Sequence, residues 1–271
     1  DWACINLNGR VLDNIDLTDC FLEQVDFTGA SLRNANFNGA ILPRAVLKGA
    51  DLTGADFTGA NLGAVSAQGA NFTDAIIKSA KLSKADLSKA NLTRCLIEEV
   101  ETLELKLDQA DFTQASLLSI KLIELKIKGA KFNEANLSAA KILQCEFRDV
   151  DFEQAVLPGA VWADVVFEDV SFAGADLSKN CFVATEPELS SMQRMNLAGS
   201  CLDGVNFQGM SMPGSDLSSA SMVSAIFNGA NLNESNLSNA NAQQAQFRKA
   251  NLELSNMRGI NLMEGSLAKA R

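Results

Sequence analysis

Residues 45–62 read AVLKGADLTGADFTGANL, in which a small residue, a polar residue, a large apolar residue and two variable residues recur every five positions. If residues whose numbers are multiples of five take position 1, then Leu, Phe, Ile, Met or Trp occupies 50 of the 54 third positions from Trp2 to Leu267. The exceptions are Ala67, Thr102, Pro187 and Ala242. Because one such unit cannot bury its own apolar side chain, a period held this long predicts a solenoid of stacked repeats.

Each position of the unit has a residue type that suits such a repeat. The large third residue fills the interior, and the small first residue sits where the backbone comes close to the axis. Of the 18 glycines, 16 occupy position 5, where a corner requires a positive φ angle. Asp, Asn, Ser and Thr beside these corners can bond to nearby backbone groups. A period of five matches neither a helix nor a simple alternating strand.

The repeated triplets resemble the signature of the pentapeptide-repeat family. They stand at Ala50-Asp51-Leu52, Ala55-Asp56-Phe57, Ala60-Asn61-Leu62, Ala85-Asp86-Leu87 and Ala90-Asn91-Leu92. The resemblance implies an all-β solenoid, namely a right-handed quadrilateral parallel β-helix with one pentad on each side and about 20 residues per coil. A chain of 271 residues would then form about 13 coils.

A coil of four pentads predicts which third positions stack on one another. Phe112, Phe132, Phe152 and Phe172 should form one file of aromatic rings. Phe207, Phe227 and Phe247 should form another, on the same side as Phe147 and Phe167. Stacked rings would add to the stabilisation that burial provides.

The unbroken register predicts a single domain over residues 1–271, interrupted at most by a loop or by degenerate repeats at 180–195. Solenoids need covered ends, yet the repeat starts at Trp2 and no capping helix is visible. Since Asp1 is not an initiator Met, we expect a piece of a longer protein. A neighbouring domain or a second copy, stacked end to end, is expected at the uncapped coils.

One candidate partner surface consists of fourth positions one coil apart. Leu103, Ile123 and Leu143 would form an outward apolar stripe with charged edges, extended by Ala163 and Val183. Such a stripe is typical of a protein-binding surface. The alternative is a local distortion that places Leu103 in the core instead of Thr102.

A second candidate surface is an acidic band within residues 146–188. Ten acidic residues against Arg148 and Lys179 give this segment a net charge of −8, compared with −10 for the whole chain. The band residues that we assign to partner binding are Glu146, Asp149, Asp164, Glu168, Asp169, Glu186 and Glu188. The alternative is a solvated face that keeps the solenoid soluble.

Catalysis, cofactor binding and metal binding are not predicted. The chain has no His and no Tyr, which removes the usual base near neutral pH. No cysteine pair has zinc spacing, and no phosphate-binding loop is present. Cys181 and Cys201 would lie one coil apart, within disulfide reach only if residues 180–195 stay in the coil. We otherwise expect reduced thiols.

Composition also narrows the partners and the location. The negative charge and the inward aromatic residues argue against direct nucleic-acid binding. No apolar run reaches the length that spans a bilayer, so no membrane association is expected. We expect a cytoplasmic protein that binds other proteins.

Two functions are consistent with these features. The first is a non-enzymatic protein–protein interaction scaffold or adaptor, a bacterial domain excised from a larger protein. Family segments attached to secretion accessory domains resemble this arrangement. The alternative is a DNA mimic that inhibits or protects DNA gyrase or another topoisomerase, because some bacterial family members are similar to DNA in size and charge.

Overall fold

The structure, a computed structural model, describes residues 2–183 and 191–271. The chain divides into two compact units, Asp1–Phe132 and Asn133–Arg271. The prediction of a single domain belonging to a longer protein stays a prediction.

The first unit is a parallel β-solenoid with four pentads in each coil. Bridges that start at Asn6, Val11, Asp16 and Phe21 form four separate parallel ladders, and each bridge joins residues four pentads apart, as Asn6 is joined to Asp26. The ladder that starts at Asn6 continues in the same steps to Lys106. Four ladders with this step are the four sides of a quadrilateral coil, which confirms the predicted fold class.

Neighbouring coils are joined by backbone hydrogen bonds on every side. The Leu52 amide donates to the Asn71 carbonyl at 2.7 Å, and the Asp51 amide donates to the Ala30 carbonyl of the preceding coil at 2.9 Å. Each pentad therefore bonds to both neighbouring coils, and this satisfies backbone groups that would otherwise be costly to bury.

The interior of the first unit consists of third and first positions. Phe37 and Phe57 are fully buried and stack with ring centroids 4.7 Å apart, and Phe112 stacks on Phe132 at 4.8 Å. The first-position alanines are also buried. Val25 and Val65 are buried at first positions as well, so the close-packed interior also accepts Val there.

Corners use the same backbone conformation whether or not glycine is present. Gly49 has φ 59°, and Arg44 and Ala64 have φ 60° and 54° at the same position of their pentads. The turn is closed by a first-position amide, as in the 3.0 Å bond from Ala55 to the Leu52 carbonyl. Glycine is thus favoured at the corner but not required there.

Some pentads are extended into three-residue strands. In the first unit they are β1 (Ile76–Lys78), β2 (Leu96–Glu98), β3 (Lys121–Ile123) and β4 (Lys126–Lys128). In the second unit they are β5 (Lys141–Leu143), β6 (Glu146–Arg148), β7 (Val161–Ala163), β8 (Val166–Glu168), β9 (Cys181–Val183) and β10 (Ser191–Gln193). β1 pairs with β2, β7 pairs with β5 and β9, and β8 pairs with β6 and β10, all in parallel.

The second unit has the same coil but changes its register once. Val161 pairs with Cys181, four pentads on, whereas Val166 pairs with Ser191, five pentads on. The spacing returns to four pentads in later bridges, such as Cys201 to Ser221. One additional pentad therefore enters the chain between Cys181 and Ser191. The predicted loop or degenerate repeats at 180–195 lie partly outside the described residues, which omit 184–190.

This register change corrects one prediction and decides a conditional one. Phe207 stacks on Phe182 at 4.6 Å, not on the side of Phe147 and Phe167, because the additional pentad moves later pentads to the next side. Cys181 pairs with Asn206 for the same reason, and Cys201 pairs with Asp176. The two thiols are free and lie on different sides of the coil, so the condition under which a disulfide was expected is not met.

Asn180 is a polar residue in the core of the second unit. Its side-chain oxygen accepts a 2.7 Å hydrogen bond from the Trp162 indole N–H, and its amide nitrogen donates to the Leu157 carbonyl at 2.7 Å. Both polar groups of the buried amide are therefore satisfied, as buried polar groups must be.

Candidate protein-interaction surfaces

Leu103 projects outward from the first unit. Its relative exposure is 57%, whereas that of Thr102 is 7%. The Thr102 hydroxyl donates a 2.6 Å hydrogen bond to the Lys121 carbonyl of the next coil, so this polar core position has a partner. The alternative in which Leu103 replaces Thr102 in the core is therefore wrong.

The predicted apolar stripe is divided between the two units. Ile123 in β3 is 38% exposed, and the bond between Thr102 and Lys121 joins its coil to that of Leu103. Leu143 in β5 is half-buried and belongs to the second unit, where it pairs with Ala163, which in turn pairs with the exposed Val183. The structure thus brings Leu103 and Ile123 together in one unit, and Leu143, Ala163 and Val183 in the other.

An open notch that the sequence did not predict lies in the first unit. Its volume is about 560 Å³. It is lined by Glu98, Glu99, Val100, Leu118, Ser119, Ile120 and Lys121. The sequence signal was bulk at first positions, because Val100 and Ile120 stand where most pentads of the first unit have Ala.

Part of the acidic band lies together on one face of the second unit. Glu146 and Arg148 belong to β6, and Glu168 belongs to β8, which pairs with it in register. The Asp149 amide donates to the Glu168 carbonyl at 3.0 Å, which places Asp149 on the same side. Asp169 directly follows Glu168 at the next corner. Glu146, Asp149, Glu168 and Asp169 are thus brought together.

Two arginines reduce the charge of this face. Arg148 lies 2.9 Å from Glu168 and 3.7 Å from Glu146. Arg194 lies 3.4 Å from Asp169, which is five pentads earlier in the chain. A regular four-pentad register would not have placed Arg194 there, so the band carries less net charge than its sequence indicates.

The other predicted acidic residues are not part of this face. Asp164 follows β7 on a different side of the coil, where its amide donates to the Val183 carbonyl at 2.9 Å. Glu186 and Glu188 lie outside the described residues.

Carboxylates at second positions are stabilised in their charged form by local hydrogen bonds. The side chain and the amide of Thr28 donate to Asp26 at 2.5 and 2.8 Å, and both bonds lower the pKa of Asp26. The Arg94 side chain similarly donates to Asp74, a corner residue, at 2.7 and 2.8 Å and lowers the pKa of that carboxyl group. These groups have a structural explanation for their shifts, so they do not indicate catalysis.

The buried residue Cys95 also lacks the features of a nucleophile. Burial raises the pKa of the Cys95 thiol to about 12, and the thiol donates to the Phe72 carbonyl at 2.7 Å. Reactive cysteines have lowered pKa values and are accessible. Cys95 therefore belongs to the core.

Residues 2–183 and 191–271 contain no cluster of three or more Cys, Asp or Glu side chains that could hold a metal ion. Over the same residues, no helix has both the length and the apolar character needed to cross a membrane.

Pentads stacked around a buried file of large apolar residues define the class of solenoid repeat proteins, and the described candidate binding residues lie on the outer wall. The chain matches the sequence model of pentapeptide repeats, which is found in 8 copies and whose matched segments include residues 5–42, 30–66, 55–94, 145–179, 190–229, 200–239 and 225–263. It belongs to the pentapeptide-repeat family. No curated protein matches the chain.

Several solved structures are similar to this chain. HetL, a pentapeptide repeat protein involved in heterocyst differentiation regulation from the cyanobacterium Nostoc sp. strain PCC 7120, is 26% identical, with 100% of this chain and 90% of HetL covered and a TM-score of 0.22. A pentapeptide repeat protein from the thylakoid lumen of Arabidopsis thaliana is 33% identical over 40% of this chain and 68% of that protein, with a TM-score of 0.21. QnrB1, a plasmid-mediated fluoroquinolone resistance protein, is 16% identical over 69% of this chain and 89% of QnrB1, with a TM-score of 0.37. At these TM-scores the superpositions carry no argument about function.

Proposed function

We propose that this chain is a non-enzymatic protein–protein interaction scaffold or adaptor. The observation that carries the proposal is the outward position of Leu103 and Ile123, two large aliphatic side chains held by a backbone-bonded coil. Large apolar residues exposed side by side on a rigid wall are typical of protein-binding surfaces.

The proposal has further parts. A neighbouring domain or a second copy that stacks on the first and last coils is part of the proposal. A cytoplasmic location, where cysteines are kept reduced, is also part of the proposal. An origin in a larger bacterial protein is part of the same proposal.

Affinity capture with the intact chain tests the scaffold function. We expect a partner that binds the wild type and loses most of its binding when Leu103 and Ile123 are both changed to Ser. Leu254→Ser is the matched control, because Leu254 is also exposed but lies in the second unit. Equal capture by all three proteins would remove Leu103 and Ile123 from the interaction surface.

The alternative function is a DNA mimic that acts on gyrase or another topoisomerase. The clustering of Glu146, Asp149, Glu168 and Asp169 favours it, whereas Arg148 and Arg194 oppose it by reducing the charge. A supercoiling assay with purified gyrase separates the two functions. The mimic should change supercoiling or quinolone poisoning, and no effect at high protein concentration would exclude it.

A further inference from the structure

We propose that the notch beside Val100 and Ile120 binds a partner segment that inserts a large apolar side chain and carries Lys or Arg next to it. This inference rests on the proposed scaffold function and names the chemistry of the partner. The notch residues all belong to the first unit and are distinct from Leu103 and Ile123.

The notch exists because two stacked pentads turn differently. The 96–100 pentad is extended as β2 and is fully paired with β1, including Lys78 with Glu98. In the next coil, the 116–120 pentad makes a tight turn closed by the 3.1 Å bond from the Ile120 amide to the Leu117 carbonyl. Leu96 and Ser116 are bridged at the start of the two pentads, so we infer that the coils separate toward Val100 and Ile120.

Bulky first positions line the notch. Ala80, one coil before Val100, is fully buried with 1% exposure, whereas Val100 is half-buried and Ile120 is 8% exposed. Val65 is buried with 1% exposure at the first position of a regular pentad, so bulk alone does not open the wall, but the partial exposure of Val100 leaves apolar side chains accessible here. The result is an apolar floor at the corner.

The size and surroundings of the notch favour a peptide segment. A volume of about 560 Å³ is within the range of ligand-binding sites, about 300–1,000 Å³. Leu118 on the rim is 44% exposed, and the exposed Leu103 lies on the adjoining side of the coil. Apolar contact therefore continues beyond the notch, as it does where one inserted side chain anchors a larger interface.

The charges on the notch select a cationic segment. Glu98 is held by Lys78 at 3.1 Å, and Glu99 accepts a 2.9 Å hydrogen bond from the Ser79 hydroxyl. Because the hydroxyl is uncharged, this bond positions the Glu99 carboxylate without neutralising it. Lys121 also lines the notch, so the site is bordered by a positive charge as well as by the negative charge of Glu99. Because Lys78 already pairs with Glu98, Glu99 is the carboxylate that an incoming cation would meet.

The test uses the intact chain and two synthetic peptides, acetyl-Gly-Lys-Leu-Lys-Gly-amide and acetyl-Gly-Glu-Leu-Glu-Gly-amide. The methyl NMR signals of Leu118 and Ile120 report on occupancy. We expect saturable shifts with the Lys peptide and binding of the Glu peptide that is weaker by up to about fivefold, the effect of one exposed ion pair. Glu99→Gln should reduce that preference, and Leu118→Lys should abolish binding. Leu254→Lys, in the second unit, should bind like the wild type.

Three outcomes would overturn the proposal. They are no shift with either peptide, equal or tighter binding of the Glu peptide, and shifts that appear with protein concentration alone, which would identify a second copy as the occupant. Capture that depends on Leu103 and Ile123 would still stand in each case, because those residues do not line the notch. Conversely, if the Lys peptide binds the notch but affinity capture finds no partner protein, only the scaffold function is contradicted.

Discussion

Phe182 stacks on Phe207 with ring centroids 4.6 Å apart, although they are five pentads apart in sequence and later bridges of the same unit join residues four pentads apart. Trp162 stacks on the other face of Phe182 at 5.6 Å. The aromatic file thus continues through the change of register, and it fixes which side each later pentad occupies.

A double-mutant cycle tests this register. We expect Phe182→Ala and Phe207→Ala to show a coupling energy of about 0.5–1.5 kcal/mol, the contribution of a stacked aromatic pair. Phe167→Ala and Phe207→Ala should be additive and serve as the control, because these residues lie two coils apart in either register. The free energies come from urea unfolding. Additive effects of Phe182→Ala and Phe207→Ala would contradict the change of register.

Corner residues should respond to substitution according to their φ angles. Ala64 and Gly69 both occupy fifth positions, with φ 54° and 65°, and an added Cβ at Gly69 would meet no atom within 4 Å. Ala64→Gly should stabilise the protein and Gly69→Ala should destabilise it, each by about 1 kcal/mol, because L residues are strained in the left-handed region. Thermal unfolding measures both. Changes of the same sign at the two corners would contradict this explanation.

Asn180 should be essential to the core of the second unit. Asn180→Ala removes the acceptor of the Trp162 indole and the donor to the Leu157 carbonyl. Leaving buried polar groups without partners costs about 1–3 kcal/mol each, so the free energy of unfolding should fall by roughly 2 kcal/mol or more. Asn256→Ala, at an exposed position, is the control. A similar small loss in both variants would show that the buried bonds contribute little.

Acid should weaken the bond between Asp26 and Thr28. The hydrogen bonds from Thr28 lower the pKa of Asp26 in the folded state, so the stabilisation is present above the unfolded pKa of about 3.9 and is lost as the pH falls through the folded pKa. In Thr28→Val the side-chain bond is absent, and the pKa of Asp26 should rise toward its ordinary value. Carbon NMR titration of the Asp26 carboxyl group measures this shift. Asp16, whose pKa is lowered by Thr18 in the same way, should not change in this variant and is the internal control.

The positions of the candidate surface residues could be predicted from the sequence only where the pentads keep the regular turn and the four-pentad coil. Leu103 follows a third position, so its outward direction follows from the period, and Thr102 remains inside because its hydroxyl has the Lys121 carbonyl as a partner. The contact of Arg194 with Asp169 was not predictable, because it depends on the additional pentad. The notch was missed because it arises from a difference in turns between two neighbouring pentads, and the residues at a single pentad do not reveal how its neighbour turns.

The sequence by itself determined the repeating unit and the buried third positions, since a period of five with one large apolar residue can be buried only by stacking. It did not determine on which side the pentads after Val183 lie. An insertion of one pentad preserves the period, so the degenerate repeats at 180–195 indicate where the coil could be interrupted but not by how many pentads. Only the tertiary structure decided this, through the pairing of Val166 with Ser191 and the stacking of Phe182 on Phe207. Contacts between coils depend on the total number of pentads in a coil, whereas the sequence pattern reports only the pentad itself.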